Sequence, residues 1–197
     1  MPSSKSSSSS SISSFSYLGS TTSLKRLSKE HKAIISYDNL KVVVSFGGSD
    51  QHGVAVAIAN LLATSDKVKE ITVIGNQSRG LMHSDKINFR SGLSAQDMCT
   101  EFVSNDLAIL PASTTMLEAL ACGIKIIGGY FVDNQLDNYN QYVKTNSIIG
   151  CDNLLLEENR LRVLNIIESG ELKELNTSNM IIPTNLKENI LSIFKAL

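Results

Sequence analysis

A serine, two threonines and a glutamate stand at helical spacing in the stretch Ala112-Ser-Thr-Thr-Met-Leu-Glu118. Ser113 suits the N-cap position, because its side-chain oxygen can accept from the free amides of the next turn. Thr114 and Glu118 are four residues apart, and Thr115 and Glu118 three apart, so they share one helix face. A helix N-terminus carries unpaired amides and a partial positive charge, which suits a phosphate. A carboxylate one turn behind could accept two hydroxyls of a ribose. These groups together suit a nucleotide. The same spacing also fits a plain capped turn with Glu118 in solvent, since such turns recur in doubly wound folds.

The elements around this turn read from Asp106 to Gln135 as strand, tight turn, helix, strand and loop. Leu107 to Leu110 is an apolar run of strand length, broken by Pro111 and Ala112. A helix is expected from Thr114 to Ala121, with Leu117, Leu120 and Ala121 packed on a sheet. Gly123 stands where a helix end favours positive φ. Ile124 to Ile127 is a second buried strand. Two strands joined by a helix make a βαβ unit, hence a parallel sheet with a right-handed crossover.

A second loop has similar potential. Lys41 to Phe46 is β-branched and apolar, as in a central parallel strand. It ends in Gly47-Gly48-Ser49-Asp50-Gln51-His52-Gly53, and a helix follows with Val54, Ile58, Leu61 and Leu62 at helical spacing. A glycine pair between strand and helix lets backbone approach a phosphate closely. No Gly-Lys-Ser/Thr follows, so this is not a Walker loop, and the dinucleotide G-x-G-x-x-G is absent. His52 admits a catalytic role, or a loop-exposed or helix-capping one; no catalytic residue is assigned.

The remaining chain alternates in the same way. Glu70 to Gly75 is a strand followed by the loop Asn76 to Gly80, and Ile87 to Phe89 is a short strand. Ser94 caps a helix to Val103 with Met98 and Phe102 on one face. A polar helix spans Leu136 to Lys144, then come a strand from Ser147 to Gly150 and a helix from Glu157 to Ile167 with Leu161, Leu164 and Ile167 on its face. Met180 to Ile182 is a short apolar segment before Pro183. Thr184 or Asn185 caps a last helix with Leu186, Ile190, Ile193 and Phe194 inward. The fold class is α/β: a single Rossmann-like, doubly wound parallel-sheet domain.

Composition narrows the function classes. The chain has 197 residues, 42% hydrophobic and 19% charged, and a net charge of −1. Such a balance reads as one ordinary globular domain without a nucleic-acid surface. Trp is absent and aromatics are few, so stacking on carbohydrate is not advertised. Cys99, Cys122 and Cys151 have no ligand spacing and read as reduced thiols, two of them in or near the core; a cytoplasmic location is expected. No apolar run reaches the ~18–20 residues of a membrane span. Residues 1–23 form a Ser-rich tail expected to be disordered, with six consecutive serines from Ser6 to Ser11. Its lack of acidic residues resembles a transit peptide, but arginine is scarce and no amphipathic helix is evident. Residues 24–40 read as a linker, in which His31 is a surface residue, and residues 41–197 as the domain.

The order of these motifs resembles a known superfamily. The strand ending in Gly47-Gly48-Ser49-Asp50, the turn from Ala112 to Glu118, the strand after Gly123 and Asp133-Asn134-Gln135 are similar to the C-terminal domain of GT-B glycosyltransferase-like proteins. Within it the chain most resembles PseG-like UDP-sugar hydrolases of pseudaminic acid biosynthesis, over about residues 17–149. It departs from many GT-B members at Ala112, where they carry glycine.

The resemblance implies a nucleotide-sugar site. Gly48 and Ser49 would border the diphosphate or sugar. Ser113, Thr114 and Thr115 would donate to the diphosphate, and Glu118 would bind the ribose hydroxyls. Asn134 and Gln135 would reach the sugar or its phosphate, and the loop after Gly75 would line the uracil. No D-x-D metal motif is present, and neither a metal nor another cofactor is expected. The partner is a UDP-sugar, with no nucleic acid and no membrane span. The full GT-B fold has two such domains, and in PseG-like enzymes the histidine thought to activate water lies in the N-terminal one. About 40 residues precede the glycine-pair strand here. The expectation is the nucleotide-sugar-binding half of a split or truncated enzyme, completed by a separate polypeptide supplying the N-terminal domain. The alternatives are the donor subunit of a split glycosyltransferase and a non-catalytic nucleotide-sugar binder.

Overall fold

The computed structural model describes residues 36–47 and 50–175. The Ser-rich tail, His31, Gly48, Ser49, the Met180–Ile182 segment and the last helix lie outside the described residues.

Six parallel strands form one sheet in the order β3-β2-β1-β4-β5-β6. The central pair is β1 (Leu40–Ser45) and β4 (Leu107–Pro111), whose residues are almost all buried. Their β-branched and aliphatic runs suit strands covered on both faces. To one side lie β2 (Val68–Ile74) and the short β3 (Ile87–Arg90). To the other lie β5 (Lys125–Tyr130) and β6 (Ile149–Asn153). The chain reverses its direction of travel between β1 and β4. In open α/β sheets, ligands bind outside the carboxyl ends of the strands at such a switch.

Helices cover both faces. On one face α1 (Val54–Ala63) and α5 (Glu157–Ser169) pack against Val42, Val44 and Ile109. On the other α2 (Ala95–Ser104), α3 (Thr114–Cys122) and α4 (Leu136–Lys144) pack against Val43, Ala108 and Ile126. Alternate strand residues therefore feed two separate cores, as the period of two requires. Helix α2 starts with a full capping box: Ser94 Oγ accepts from Asp97 N, and the Asp97 carboxylate accepts from Ser94 N.

Helix α3 is seated closely on the sheet because β5 carries glycine beneath it. A Cβ on Gly128 would lie 2.7 Å from Met116 Cε and 2.6 Å from Ile148 Cδ1. A side chain there would have to displace the ends of the Met116 and Ile148 side chains. Met116 and Ala119 are fully buried on this contact, joined by Leu120 and Ala121. Leu117, expected to pack on the sheet, is instead 43% exposed. The helix is turned by one position, so that Met116 and Leu120, four apart, define the inner stripe.

Other expectations shift locally. Pro111 does not break β4 but ends it, paired in register with Gly129. The next residue, Ala112, supplies the amide that bonds Gly129 O at 2.8 Å. Strand β6 begins two residues later than expected and continues to Asn153, with Asp152 at φ 54. On α5 the inner face is Val163, Ile166 and Ile167, while Leu161 is exposed. All three cysteines are buried. Cys99 and Cys122 sit with their sulfurs 3.1 Å apart where α2 meets α3. Their mutual hydrogen bond, together with burial, pushes the Cys122 thiol far above its usual range.

Candidate functional site

Two loops meet at the switch point: the one leaving β1 and the one leaving β4. The β1 loop turns through Gly47 at φ 72 and reaches α1 through Gly53 at φ 66, both in the left-handed region that glycine adopts without strain. Asp50 folds back on the helix start. Its Oδ1 accepts from Val54 N and its Oδ2 from Ala55 N, each at 2.9 Å. Gln77 Nε2 donates to the Asp50 carbonyl at 3.0 Å, tying this loop to the one after β2. The first amides of α1 are thus bonded to the chain's own carboxylate.

The start of α3 differs. Ser113 occupies the N-cap position with extended backbone, φ −117, but its side chain makes no cap hydrogen bond. The expected hydroxyl cap is not formed; the Ser113 carbonyl accepts from Met116 N at 3.0 Å instead. Among the described residues, nothing accepts from the amides of Thr114 and Thr115. This N-terminus keeps its partial positive charge directed at the cleft.

One turn further on, Glu118 and Thr115 line a cavity of about 270 Å³ with Gly47, Gly75, Asn76 and Met98. Glu118 is half-buried, and burial pushes its carboxyl up from the ordinary carboxylate value. A second cavity of about 420 Å³ shares Gly47, Gly75 and Asn76 and runs toward Asp50, Val56 and Gln77. The two make one cleft along the carboxyl ends of β1 and β2, open to the start of α3.

The structure gathers part of the expected set. Thr115 and Glu118 face the cleft together, Ser113 lies half-buried beside them, and Thr114 is exposed. Asn134 and Gln135 lie apart, in a 3-10 turn at Asp133–Gln135 after β5, and do not line the cavity. Asn134 is exposed, and Gln135 Oε1 accepts from Phe131 N at 3.1 Å, holding the turn. Gly48 and Ser49 lie outside the described residues. His52 is exposed on its turn. Sequence reasoning missed the wall made by Gly92, Leu93 and Met98. The signal was available: Ser94 caps α2, which places Met98 one turn into a helix that begins at the cleft. Among the described residues no group of three His, Cys, Asp or Glu side chains could hold a metal ion, and no helix is long and apolar enough to cross a membrane.

No known family profile matches the chain, and no curated protein matches it by sequence. Solved structures match it by fold. One, described as a UDP-N-acetylglucosamine 2-epimerase from Listeria monocytogenes, is 12% identical with a TM-score of 0.57, over 89% of this chain and 51% of that one. The glycosyltransferase of kitacinnamycin gives 12% and 0.57, over 84% and 46%. The Streptomyces sp. SF2575 glycosyltransferase SsfS6, complexed with thymidine diphosphate, gives 12% and 0.51, over 82% and 45%. The chain spans about half the length of these structures. At this identity the likeness establishes the fold: a Rossmann-like domain of the GT-B kind, as in these glycosyltransferases and this epimerase.

Proposed function

We propose that the chain binds a UDP-sugar across the carboxyl ends of β1, β2 and β4. The observation that carries this reading is one pairing. The N-terminus of α3 has no side-chain cap, and a half-buried Glu118 stands one turn behind it in a cleft. Backbone amides of Thr114 and Thr115, with the hydroxyls of Ser113 and Thr115, donate to the diphosphate. The Glu118 carboxylate accepts from the ribose hydroxyls. The uracil rests by Gly75 and Asn76, over the apolar surface of Met98 and Leu93. Asn134 and Gln135 approach the sugar from the β5 side, where Gln135 has its amide nitrogen left to donate, since its oxygen is bonded to Phe131.

The chemistry best matched to this arrangement is UDP release. Water attacks the anomeric carbon, the bond from that carbon to the phosphate oxygen breaks, and UDP leaves as an anion. Donors already aimed at the diphosphate stabilise the charge as it develops, without reorganising. In this reading the group that activates water comes from a second domain across the cleft. Val132, Leu136, Leu155 and Leu156 support such a neighbour: they are 37–48% exposed, beyond the carboxyl ends of β5 and β6. On this reading the chain is the donor half of a UDP-sugar hydrolase acting on a diacetamido-trideoxy hexose. A second reading, the donor-binding half of a glycosyltransferase, is favoured by the two glycosyltransferase structures that share the fold.

Calorimetric titration with UDP and with UDP-N-acetylhexosamines tests the donor site. Both should bind the folded protein, and absence of heat with either would remove the site. A partner domain added with a UDP-diacetamido sugar should then release UDP into water. Transfer of the sugar to an acceptor would select the glycosyltransferase reading instead.

A further inference from the structure

Two cysteines meet where α2 packs on α3, and ligand binding makes no use of them. Cys99 lies on α2, Cys122 is the last residue of α3, and their sulfurs are 3.1 Å apart. Both are fully buried in the core on this face of the sheet, at 0% and 1% exposure. A disulfide holds its sulfurs ~2.05 Å apart, so closing the gap asks each sulfur to move only about 0.5 Å. The third cysteine, Cys151, is buried in the other core, across the sheet. The pair also borders the cleft. Met98 precedes Cys99, Glu118 stands one turn before Cys122, and both line the cavity at the switch point.

We propose that Cys99 and Cys122 are a redox pair, and that two-electron oxidation by a peroxide joins them in a disulfide that clamps α2 to α3. Hydrogen peroxide suffices as the oxidant. It converts one thiol to a sulfenic acid, and its second oxygen leaves as water. The sulfur of the other thiol then attacks the sulfenic sulfur. The S–S bond forms, the S–O bond breaks, and the hydroxyl leaves with the thiol proton as a second water. Two electrons and two hydrogens pass from the pair to the peroxide.

The two steps differ in rate. The hydrogen bond with Cys99, burial and the nearby Glu118 carboxylate push the Cys122 thiol above its usual range. A buried, protonated thiol reacts slowly, so the first step waits on local opening of the helix contact. The second is fast, because the partner sulfur is already in place. A sulfenic acid formed here therefore closes to a disulfide before it is oxidised further. The bond fixes the spacing of the helices that carry Met98, Thr115 and Glu118, whichever ligand the cleft takes.

Intact-mass measurement and thiol alkylation of the full chain, after incubation of the folded protein with hydrogen peroxide, test the proposal. The protein should lose two hydrogens, and alkylation in denaturant should find one thiol in place of three, mapped to Cys151. Dithiothreitol should restore all three. The oxidised form should melt roughly 5–10 °C higher than the reduced one, as expected for a cross-link across 23 residues. Cys122→Ala should give oxygen adducts on Cys99 and no internal disulfide. The wild-type result stands as the test even where that variant folds poorly. Three thiols persisting after prolonged oxidation would overturn the proposal. So would oxygen adducts on Cys99 or Cys122 of the wild type without a link between them, or a disulfide through Cys151. A link that forms only in urea, or an oxidised form that melts no higher than the reduced one, would show that the native helices do not present the pair for closure.

Discussion

Helices α1 and α3 begin at equivalent places, just beyond the carboxyl ends of the two strands that flank the switch point. Both present backbone amides to the same cleft, yet they meet the demand for negative charge differently. The α1 amides bond both oxygens of Asp50, a carboxylate built into the loop. The α3 amides have no side-chain partner, although Ser113 stands at the position where one is usual. The first terminus is finished within the chain and fixes the shape of the β1 loop. The second has no side chain among the described residues to match its dipole. A glycine-rich loop before a helix is therefore not enough to mark a phosphate site; what matters is whether the chain supplies its own anion.

The sharpest way to break the contrast is to give α3 what α1 already has. Ser113→Asp should place a carboxylate at the open N-cap. Folding should gain ~0.5–1 kcal/mol, from a cap and a favourable charge at the helix start. UDP should bind on the order of 100-fold more weakly, because like charges brought together cost several kcal/mol. Urea unfolding and calorimetry on the same variant report both changes. UDP affinity equal to that of the wild type would remove the α3 terminus from the site.

Glu118 comes next. Loss of hydrogen bonds to a charged group costs about 1.5–3 kcal/mol, so Glu118→Ala should weaken UDP roughly 10- to 100-fold. Binding of uracil alone should change far less; equal loss for both would place Glu118 away from the ribose. Asp50→Ala should show the reverse pattern. It removes the α1 cap and should cost ~1–2 kcal/mol in urea unfolding. UDP affinity should change less than with Glu118→Ala, through the shape of the β1 loop only.

Acidity separates the two termini more gently. Burial raises the folded-state pKa of Glu118, so the folded protein holds that proton more firmly than the unfolded chain does. Ionising it as pH rises through that window therefore costs stability, and the cost persists above the folded pKa. Glu118→Gln should improve stability at pH 8 relative to pH 4. UDP affinity of the wild type should fall as pH drops through the raised pKa, since only the carboxylate accepts both hydroxyls. The Gln variant should lack that component, which separates it from titration of UDP itself. Parallel pH profiles in the two proteins would mean that the carboxylate does not meet the ribose.

The strands and helices were largely legible because their signals are local. The β-branched run at Lys41–Phe46 and the apolar run at Leu107–Leu110 lie within a residue or so of β1 and β4. Ser94 and Asp97 form the box their spacing suggests. The inner stripe of α3 was misread by one residue, since Met116 and Leu117 are both apolar. Tertiary packing decides which goes in, and Met116 Cε lies over Gly128 of β5. The role of Asp50 was hidden for a related reason. Its acceptors reach amides four and five residues on, across a left-handed Gly53, and no simple cap spacing describes that path. Thr115 and Glu118 were found because helical spacing alone places them together. Met98 and Leu93 escaped because they join the cleft from a different crossover, through tertiary packing.

The smallest effect discriminates most cleanly between an open terminus and an ordinary capped one. Replacing a capping Ser by Ala typically costs ~1 kcal/mol, because an amide loses its partner. Ser113 makes no such bond. Ser113→Ala should therefore change the urea midpoint of the free protein by less than about 0.5 kcal/mol, the scatter of neutral surface substitutions. The comparison belongs beside Ser94→Ala, which breaks a formed capping box and should show the full cap cost. With UDP bound the order should reverse. The Ser113 hydroxyl then has the diphosphate to donate to, and its loss should lower affinity a few-fold, as for one hydrogen bond worth ~0.5–1.5 kcal/mol. If Ser113→Ala instead destabilises the free protein as much as Ser94→Ala does, the hydroxyl caps α3 in solution. The difference between the two termini would then disappear.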